Sequence, residues 1–402
     1  MKKELQQSLD VIKKMELEEQ KRLKEIREEK ERKEKEVAEK QRLEKEKKQR
    51  EEKEKLEKEK AEKDKLEKER IEKEKQEHQL KLKQEAPKIS IQNSSITPKH
   101  ATPIKGEGEQ SDKIVSKQAW EEASTYLEIV NKIKTELKPK MLQNVEVSNE
   151  LMKCKMKINR TVGQLTRSQS QLIRLAKSLN EIFNGAKEKS LEFHQVVMYL
   201  AAKKIIKQAE TEVSVKNDTA YPLAILCVHL GTKHPEFWHV LLGRFMKKCI
   251  FIIPCYLVKP KAESLQVYQE RLGFKKNETE IQYGERMCGI VALYAAVVQT
   301  DAIPNSYGIQ HGWSWMARIL NMKPRKLTPL LILTFLEIAG NKLLQQYGEQ
   351  GKKLVHLIIE KSIPMMPASS VASTTKLKLF LEDTVFKQGT IPAHPSRVLL
   401  NE

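Results

Sequence analysis

The chain has 402 residues, with 74 Lys and Arg against 55 Asp and Glu and a formal net charge of +19. No stretch approaches 18 consecutive apolar residues, and the first thirty residues are highly charged, so neither a membrane span nor a signal peptide is expected. The composition therefore predicts a soluble, intracellular protein. Its basic excess indicates an anionic partner, which can be nucleic acid, a polyphosphate, an acidic protein face or a membrane surface.

Residues 1–85 predict a long charged helix with a coiled coil at its start. They contain no Gly or Pro and consist mainly of Glu, Lys, Arg and Gln, which favour helices. Acid–base pairs four residues apart, such as Glu44 and Lys48, each stabilise such a helix by roughly 0.2–0.5 kcal/mol. Apolar residues close enough for a coiled-coil seam occur near the beginning, at Leu5, Leu9, Ile12, Leu23 and Ile26. Self-association through this coil and an inert charged spacer both remain open.

Residues 86–116 predict a flexible linker between this helix and a folded domain. Helix-breaking residues appear among Ser, Thr, Asn and Lys, at Pro87, Pro98, Pro103, Gly106 and Gly108. Apolar residues return at helical spacing from Trp120 onward. The third and last domain is therefore expected to span residues 117–402.

The apolar pattern of residues 117–402 predicts an all-α, HEAT-like helical repeat. Pairs of apolar helical segments recur, and their first helices begin near residues 188, 235, 284 and 328, with spacings of 47, 49 and 44. Such a period is typical of stacked helix pairs of the HEAT or armadillo kind. A helical segment near Pro222 to Gly231 has the early Pro and late Gly that favour helix ends. Residues 249–253 are the best strand candidate, but a buried connector between two helices is the favoured interpretation.

No catalytic site is predicted. His229, His234 and His239 lie five residues apart, whereas ligands on one helical face need spacings of three or four. Cys288 lies in an apolar helical segment and is expected to be a core residue. The five cysteines, none of which has the two-residue spacing typical of zinc or redox sites, are Cys154, Cys227, Cys249, Cys255 and Cys288. We expect buried, reduced thiols, no metal site and no enzyme.

The basic excess belongs to the part of the chain after residue 85. Residues 1–85 contain 30 basic against 27 acidic residues, so about +16 of the net charge lies in the rest. Clusters occur at Lys203, Lys204 and Lys207; Arg244, Lys247 and Lys248; Lys259 and Lys261; Arg271, Lys275 and Lys276; and Lys323, Arg325 and Lys326. Stacked repeats align such positions along one edge, where a polyphosphate or a phosphate backbone can bridge them. The alternative is that each cluster is ordinary solvated lysine.

Several segments of the domain resemble the GLFG-lethal nucleoporin family of mRNA export mediators. Residues 201–213, 233–237 and 311–315 read AAKKIIKQAETEV, KHPEF and HGWSW. They resemble that family's C-terminal domain, and the resemblance extends over about residues 117–392. It implies a HEAT-like domain related to the middle domain of a translation initiation scaffold. The order of coil, linker and helical repeat is similar as well.

The resemblance also implies a function. Family members act at the cytoplasmic face of the nuclear pore, where they bind and activate the DEAD-box RNA helicase of mRNA export. In fungal members inositol hexakisphosphate lies between two basic surfaces. The resemblance further implies contacts with pore nucleoporins and a role with translation initiation and termination factors. The resemblance therefore predicts that the chain activates an ATPase and is not itself an enzyme. It also predicts a location at the nuclear pore and in the cytoplasm, and it allows for shuttling into the nucleus.

Under this resemblance, the inositol phosphate is expected to bind the basic clusters of the repeat. The residues placed at this site are Lys203, Lys204, Lys207, Lys247, Lys248, Lys275 and Lys276. The alternative function is a basic helical scaffold that binds RNA directly. It is the weaker interpretation because aromatic residues are not interleaved with the lysines, as a stacking platform for single strands requires. An unrecognised enzyme is a third alternative.

Overall fold

The computed structural model describes residues 113–400, which are mostly helical and belong to one compact unit. The predicted charged helix and the linker as far as residue 112 lie outside the described residues. The α-helices are α1 (Lys117–Lys132), α2 (Lys138–Leu142), α3 (Val145–Gly163), α4 (Gln169–Lys189), α5 (Leu191–Gln208), α6 (Ala220–Lys233), α7 (Glu236–Lys248), α8 (Leu265–Leu272), α9 (Glu280–Gln299), α10 (Ile309–Leu320), α11 (Thr328–Leu357) and α12 (Val371–Leu381). The predicted helical class is confirmed for this part of the chain.

Short polar side chains determine where many of these helices begin. Each accepts a hydrogen bond from a backbone N–H of the first turn, which would otherwise lack a partner. The capping residues are Ser116, Asn144, Ser168, Ser190, Ser264 and Thr279. Thr279 and Gln282 form a reciprocal capping box at the start of α9. The order of helix starts along the chain is therefore encoded locally.

Helices α5 and α9 organise the core. Helix α5 packs against α3, α4 and α7, while α9 packs against α6, α10 and α11. The apolar residues of both helices belong to one continuous cluster of buried side chains. Their mean hydropathy is high and few of their residues face solvent, as expected for helices packed on several sides. The residues that α5 leaves exposed are therefore few and mostly basic.

The predicted helix pairs are present, but the second pair departs from a regular repeat. The second helix of that pair, α8, has only eight residues and buries none of its side chains. The fourth predicted pair is a single helical run that bends at Gly348, where φ is 47° and ψ is −120°. Glycine adopts this left-handed conformation without steric strain. The regular HEAT-like stacking thus remains a prediction, while the helix order agrees with it.

The region predicted as a buried connector is buried and contains no strand. Residues 249–253 form turns between α7 and the strand β2 (Tyr256–Leu257), and the Trp315 indole donates a hydrogen bond to the Phe251 carbonyl at 2.7 Å. Strand β2 pairs antiparallel with β1 (Lys113–Ile114), so the last residues of the predicted linker are part of the fold. Within residues 113–400, no helix is long and apolar enough to cross a membrane.

Candidate functional site

Helix α5 carries three of the seven predicted phosphate-binding lysines and presents two of them to solvent. Its first turn is fixed by Ser190, whose hydroxyl accepts a hydrogen bond from the Phe193 N–H at 3.0 Å. Lys203 and Lys207 are exposed and lie four residues apart, so they project from the same side of the helix. Lys204 is half-buried. One helix therefore places two cations about one turn apart on the surface.

Four other cations act on the first of these lysines, Lys203. We call Lys138, Lys155, Lys203, Arg244 and Lys248 the Lys203 cluster. The pKa of Lys203 is below its ordinary value, first because its side chain is partly buried and then because the other four cations act on it. They come from α2, α3 and α7. None of the five forms an ion pair with any acid in the described part of the chain. The cluster thus carries positive charge that no ion pair with a described residue neutralises.

Arg244 lies at the bottom of the Lys203 cluster. It is only 4% exposed, and its guanidinium lies 5.2 Å from the centre of the Tyr199 ring. Burial lowers its pKa, and Tyr199 and Glu210 oppose that effect. Its Nε is buried and has no hydrogen-bond partner among the described residues. A buried guanidinium is less screened by water than an exposed one, so its charge strengthens the positive potential of the Lys203 cluster.

Lys247, next to Lys248 on α7, is half-buried and contacts α1. Its Nζ donates a hydrogen bond to the side-chain oxygen of Asn131 at the end of α1. Its pKa is lowered, first by burial and then by the charges of Lys134, Arg244 and Lys248. Lys247 and Lys134 therefore widen the basic surface from the Lys203 cluster towards α1.

A second basic group lies near Lys207. The pKa of Lys275 is lowered by burial; Glu210 opposes this effect, and Arg286 and Lys207 add to it. Lys275 and Lys276 line a polar pocket of about 360 Å³ together with the buried Arg286, and acidic residues line it as well, namely Glu210, Glu278 and Glu285. The charge of Lys207 thus acts on a lysine of the loop before α9, which extends the basic surface beyond α5.

The structure therefore brings most of the predicted residues together in two groups. Lys203 and Lys248 meet in the first group, with Lys247 beside them, and Lys207 lies near Lys275 in the second, with Lys276 beside it. Lys204 is not among the cations that act on Lys203 or Lys275. We call the combined surface the basic face.

Sequence reasoning did not assign Lys138 and Lys155 to the site, and it assigned no role to Arg244 beyond its basic cluster. Lys138 and Lys155 lie on helices that precede α5 by many residues, so the helical period within α5 and α7 carries no signal for them. Arg244 and Lys248 are four residues apart on α7, which was a usable signal for their common face. Contacts between helices, and not local spacing, complete the cluster.

The three histidines that were considered as metal ligands contact different partners. The His229 imidazole lies 2.8 Å from the Asn180 amide nitrogen, and His239 is stacked on Tyr126 with ring centres 5.8 Å apart. His234 is buried against His194, with ring centres 5.7 Å apart. Among residues 113–400, no group of three potential ligands forms a metal site. Each histidine therefore has a packing or hydrogen-bonding role in the fold.

The cysteine thiols are poorly suited to nucleophilic chemistry. Burial raises the pKa of Cys288 to about 12, although the Thr334 side chain opposes the shift. Burial likewise raises the pKa of Cys249 to about 12. Cys227, Cys249 and Cys255 are buried as predicted, whereas Cys154 and Cys288 are half-buried. A thiol with such a pKa stays protonated at neutral pH and is a weak nucleophile.

The family model for GLE1-like protein matches residues 128–359, which is more than half of the chain and includes every residue of the basic face. The chain belongs to the GLE1-like protein family. The mRNA export factor GLE1 of Saccharomyces cerevisiae is 32% identical over 295 residues, which are 67% of this chain and 52% of that relative. The mRNA export factor gle1 of Schizosaccharomyces pombe is 32% identical over 253 residues, 58% of this chain and 51% of that relative.

The chain thus spans about half the length of these fungal GLE1 relatives, and less of the animal ones. The mouse mRNA export factor GLE1 is 34% identical over 203 residues, which are 29% of its length. Two solved structures contain the S. cerevisiae Dbp5 C-terminal domain, in a single-residue variant, bound to Gle1 and IP6. They match with TM-scores of 0.62 and 0.63 and identities of 28% and 27%, and each covers 69% of this chain. The match covers 97% and 98% of those chains.

Proposed function

We propose that this chain is an mRNA export factor that binds and activates a DEAD-box RNA helicase, with inositol hexakisphosphate bound on its basic face. The observation that carries the proposal is the match of almost the whole Gle1 chain in the Dbp5–Gle1–IP6 complexes to this domain. Dbp5 in those complexes corresponds to the helicase that the family resemblance implies. The charges of the basic face support the same ligand independently.

The basic face fits a polyphosphate on physical grounds. The cations of the Lys203 cluster repel one another, and none of them forms an ion pair with a described carboxylate, although the charge of Glu210 acts on Arg244. A ligand with several phosphates relieves that repulsion and offers acceptors to lysine and guanidinium donors. The buried guanidinium of Arg244 adds a positive charge to the cluster, which also favours an anion. Lys203, Lys207 and Lys248 would hold the ligand from above.

In this proposal the chain acts by binding and positioning, and it performs no chemistry of its own. The exposed lysines of α5 and the half-buried Lys248 of α7 hold one side of the inositol phosphate, which leaves the other phosphates available to a basic surface of the helicase. Such an arrangement joins two positive surfaces that would otherwise repel each other. Contacts with pore nucleoporins and with translation initiation and termination factors, and a location at the cytoplasmic face of the pore, are further parts of the proposal.

The decisive experiment measures ATP turnover by the cognate export helicase with RNA, with and without the full chain, each with and without inositol hexakisphosphate. We expect the chain to raise turnover, and the inositol phosphate to raise it further. A Lys203→Glu, Lys248→Glu double variant should lose the ligand-dependent part, whereas Lys361→Glu, at an exposed lysine of the turn Ile358–Ser362, should keep it. Unchanged turnover in all conditions with a folded chain would refute the activator function.

The second candidate function is direct RNA binding by the basic face. It is favoured by the same uncompensated cations, because a phosphate backbone can replace a polyphosphate on them. This function predicts helicase-independent RNA binding that falls steeply with salt. Weak binding with little difference between wild type and the Lys203→Glu, Lys248→Glu variant would eliminate it.

A further inference from the structure

Directly behind the basic face lies the buried carboxylate of Glu210. The residue is 8% exposed and lies on the π-helical turn Ala209–Val213 that follows α5, three positions after Lys207. Its charge acts on Arg244 as well as on Lys275. A buried acid so near the lysines repels any anionic ligand of the basic face, so its presence affects binding.

Close packing of α9 against this turn fixes the position of Glu210. A Cβ atom on Gly289 would lie 2.5 Å from the Ala209 carbonyl oxygen and 2.7 Å from the Ser214 nitrogen. Only glycine permits this approach of the two backbones. The approach brings Arg286, one turn earlier on α9, to the Glu210 carboxylate, with Nη1 and Oε1 3.4 Å apart.

Arg286 is already fully engaged with other acceptors. Its Nε and Nη2 donate to the two oxygens of Glu278, at 2.6 Å each, and Nη2 also donates to the Gly273 carbonyl at 2.9 Å. Glu278 in turn accepts a hydrogen bond from the Lys275 backbone N–H at 2.8 Å, which holds the loop in place. The second oxygen of Glu210 is therefore left for another cation, and Lys275 Nζ lies 3.7 Å from it.

We propose that Glu210 is a built-in competitor of the polyphosphate, which limits affinity by holding Lys275 in an internal ion pair. The inference rests on the polyphosphate site proposed above. The Lys275 side chain is 45% exposed, so it can turn towards a ligand, whereas the Glu210 side chain is 4% exposed and stays in place. A phosphate that recruits Lys275 exchanges one ion pair for another and gains little. Lys203 and Lys248 have no such competitor among the described residues.

The proposal predicts how the two ends of the basic face contribute to affinity. Lys203 and Lys248 should dominate binding in the wild-type chain, and Lys275 should contribute little until Glu210 is neutralised. Neutralising Glu210 frees Lys275 and removes an anion from behind the site. The gain should be electrostatic, and it should therefore be largest at low salt.

Isothermal titration of the full chain with inositol hexakisphosphate, at two salt concentrations, tests this role. Glu210→Gln should bind about 3- to 10-fold tighter at low salt, as one unit charge at this range would produce. Lys275→Ala should weaken wild-type binding only slightly but should make the gain from Glu210→Gln clearly smaller, because only the part due to the removed anion remains. Glu212→Gln is the matched control, because it removes one charge from an exposed acid of the same turn, and it should change affinity by less than about twofold.

An affinity of Glu210→Gln that equals or falls below that of the wild type, in a cooperatively unfolding protein, would overturn the role of Glu210 while leaving the site intact. If this variant does not fold, single variants decide. A loss from Lys275→Ala as large as that from Lys248→Ala would overturn the proposal, and a clearly smaller loss would support it. A wild-type chain that binds no inositol hexakisphosphate would overturn the site itself.

Discussion

The two halves of the basic face use similar cations in opposite ways. In the Lys203 cluster, five cations from four helices converge without a described carboxylate partner. In the second half, Arg286 and Lys275 share the carboxylates of Glu210 and Glu278, and we call these four residues the Arg286 network. The pairing in the network connects the Ala209–Val213 turn, α9 and the loop between α8 and α9. The cations of the cluster form no ion pairs with described residues, so they are available to a ligand.

The Arg286 network and the Lys203 cluster differ in how deeply their charged groups are buried and in whether acids lie next to them. Arg286 is 4% exposed, and a buried charge without a partner is strongly unfavourable, so its acids must accompany it. The lysines of the cluster keep contact with water and tolerate mutual repulsion at modest cost. Loss of a charge should therefore damage the fold in the network and damage only binding in the cluster.

The largest expected effect comes from breaking the network at its centre. Arg286→Met leaves the buried carboxylates of Glu210 and Glu278 without their main partner and should lower the free energy of unfolding by about 3–5 kcal/mol. Urea denaturation followed by circular dichroism measures it. The control is Arg318→Met, which breaks a half-exposed pair with Glu122 and should cost no more than about 1 kcal/mol. Equal losses in the two variants would contradict the contrast between the two halves.

A second prediction concerns the helix approach on which the network depends. Gly289→Ala places a methyl group against the backbone of the Ala209–Val213 turn, and we expect a loss of about 1–3 kcal/mol in the free energy of unfolding. Gly185→Ala is the control, because that helical position of α4 has open space around its Cβ, and it should gain about 0.5–1 kcal/mol. A Gly289→Ala protein as stable as the wild type would show that α9 can move away without loss.

These two predictions also show where sequence reasoning succeeded and where it stopped. The first helices of the four pairs were predicted to begin near residues 188, 235, 284 and 328 and begin within four residues of those positions, because helix starts are local properties of the chain. Glu210 was not predicted as part of the site, since nothing in its neighbourhood signals a π-helical turn or the approach of α9. Pairing between charged groups on distant helices depends on tertiary packing, which the helical period does not encode.

His194 and His234 form another buried pair of titratable groups. Unlike the Arg286 network, this pair forms no ion pair with an acid among the described residues. His194 and His234 lie against Phe183, and the Nε2 atom of His194 has no hydrogen-bond partner among the described residues. Burial lowers the pKa of both; Glu236 opposes the shift and Lys187 adds to it, and His194 and His229 lower the pKa of His234 further.

Because the folded-state pKa values are lowered, the unfolded chain binds protons more readily. The stabilisation from this pair is fully present above the unfolded pKa of about 6.5 and is lost as the pH falls below it. Denaturation curves at a series of pH values should show a smaller acid-induced loss for His194→Gln than for the wild type. His239→Gln, at an exposed histidine, should retain the full loss. Identical pH dependence in all three proteins would exclude the buried pair as its source.

The smallest expected effect on stability comes from the unpaired cluster, and its sign is the informative part. Lys248→Met keeps the apolar stem of the side chain but removes one charge that acts on Lys203, so repulsion falls. We expect the free energy of unfolding to rise by up to about 0.5 kcal/mol at low salt, and the gain to vanish at about 1 M salt, where charges are screened within about 3 Å. Lys361→Met, at an exposed lysine of another turn, should show no such salt-dependent gain. A loss of stability from Lys248→Met would mean that this lysine contributes to folding, and the cluster would then resemble the Arg286 network instead of a surface kept for an anionic ligand.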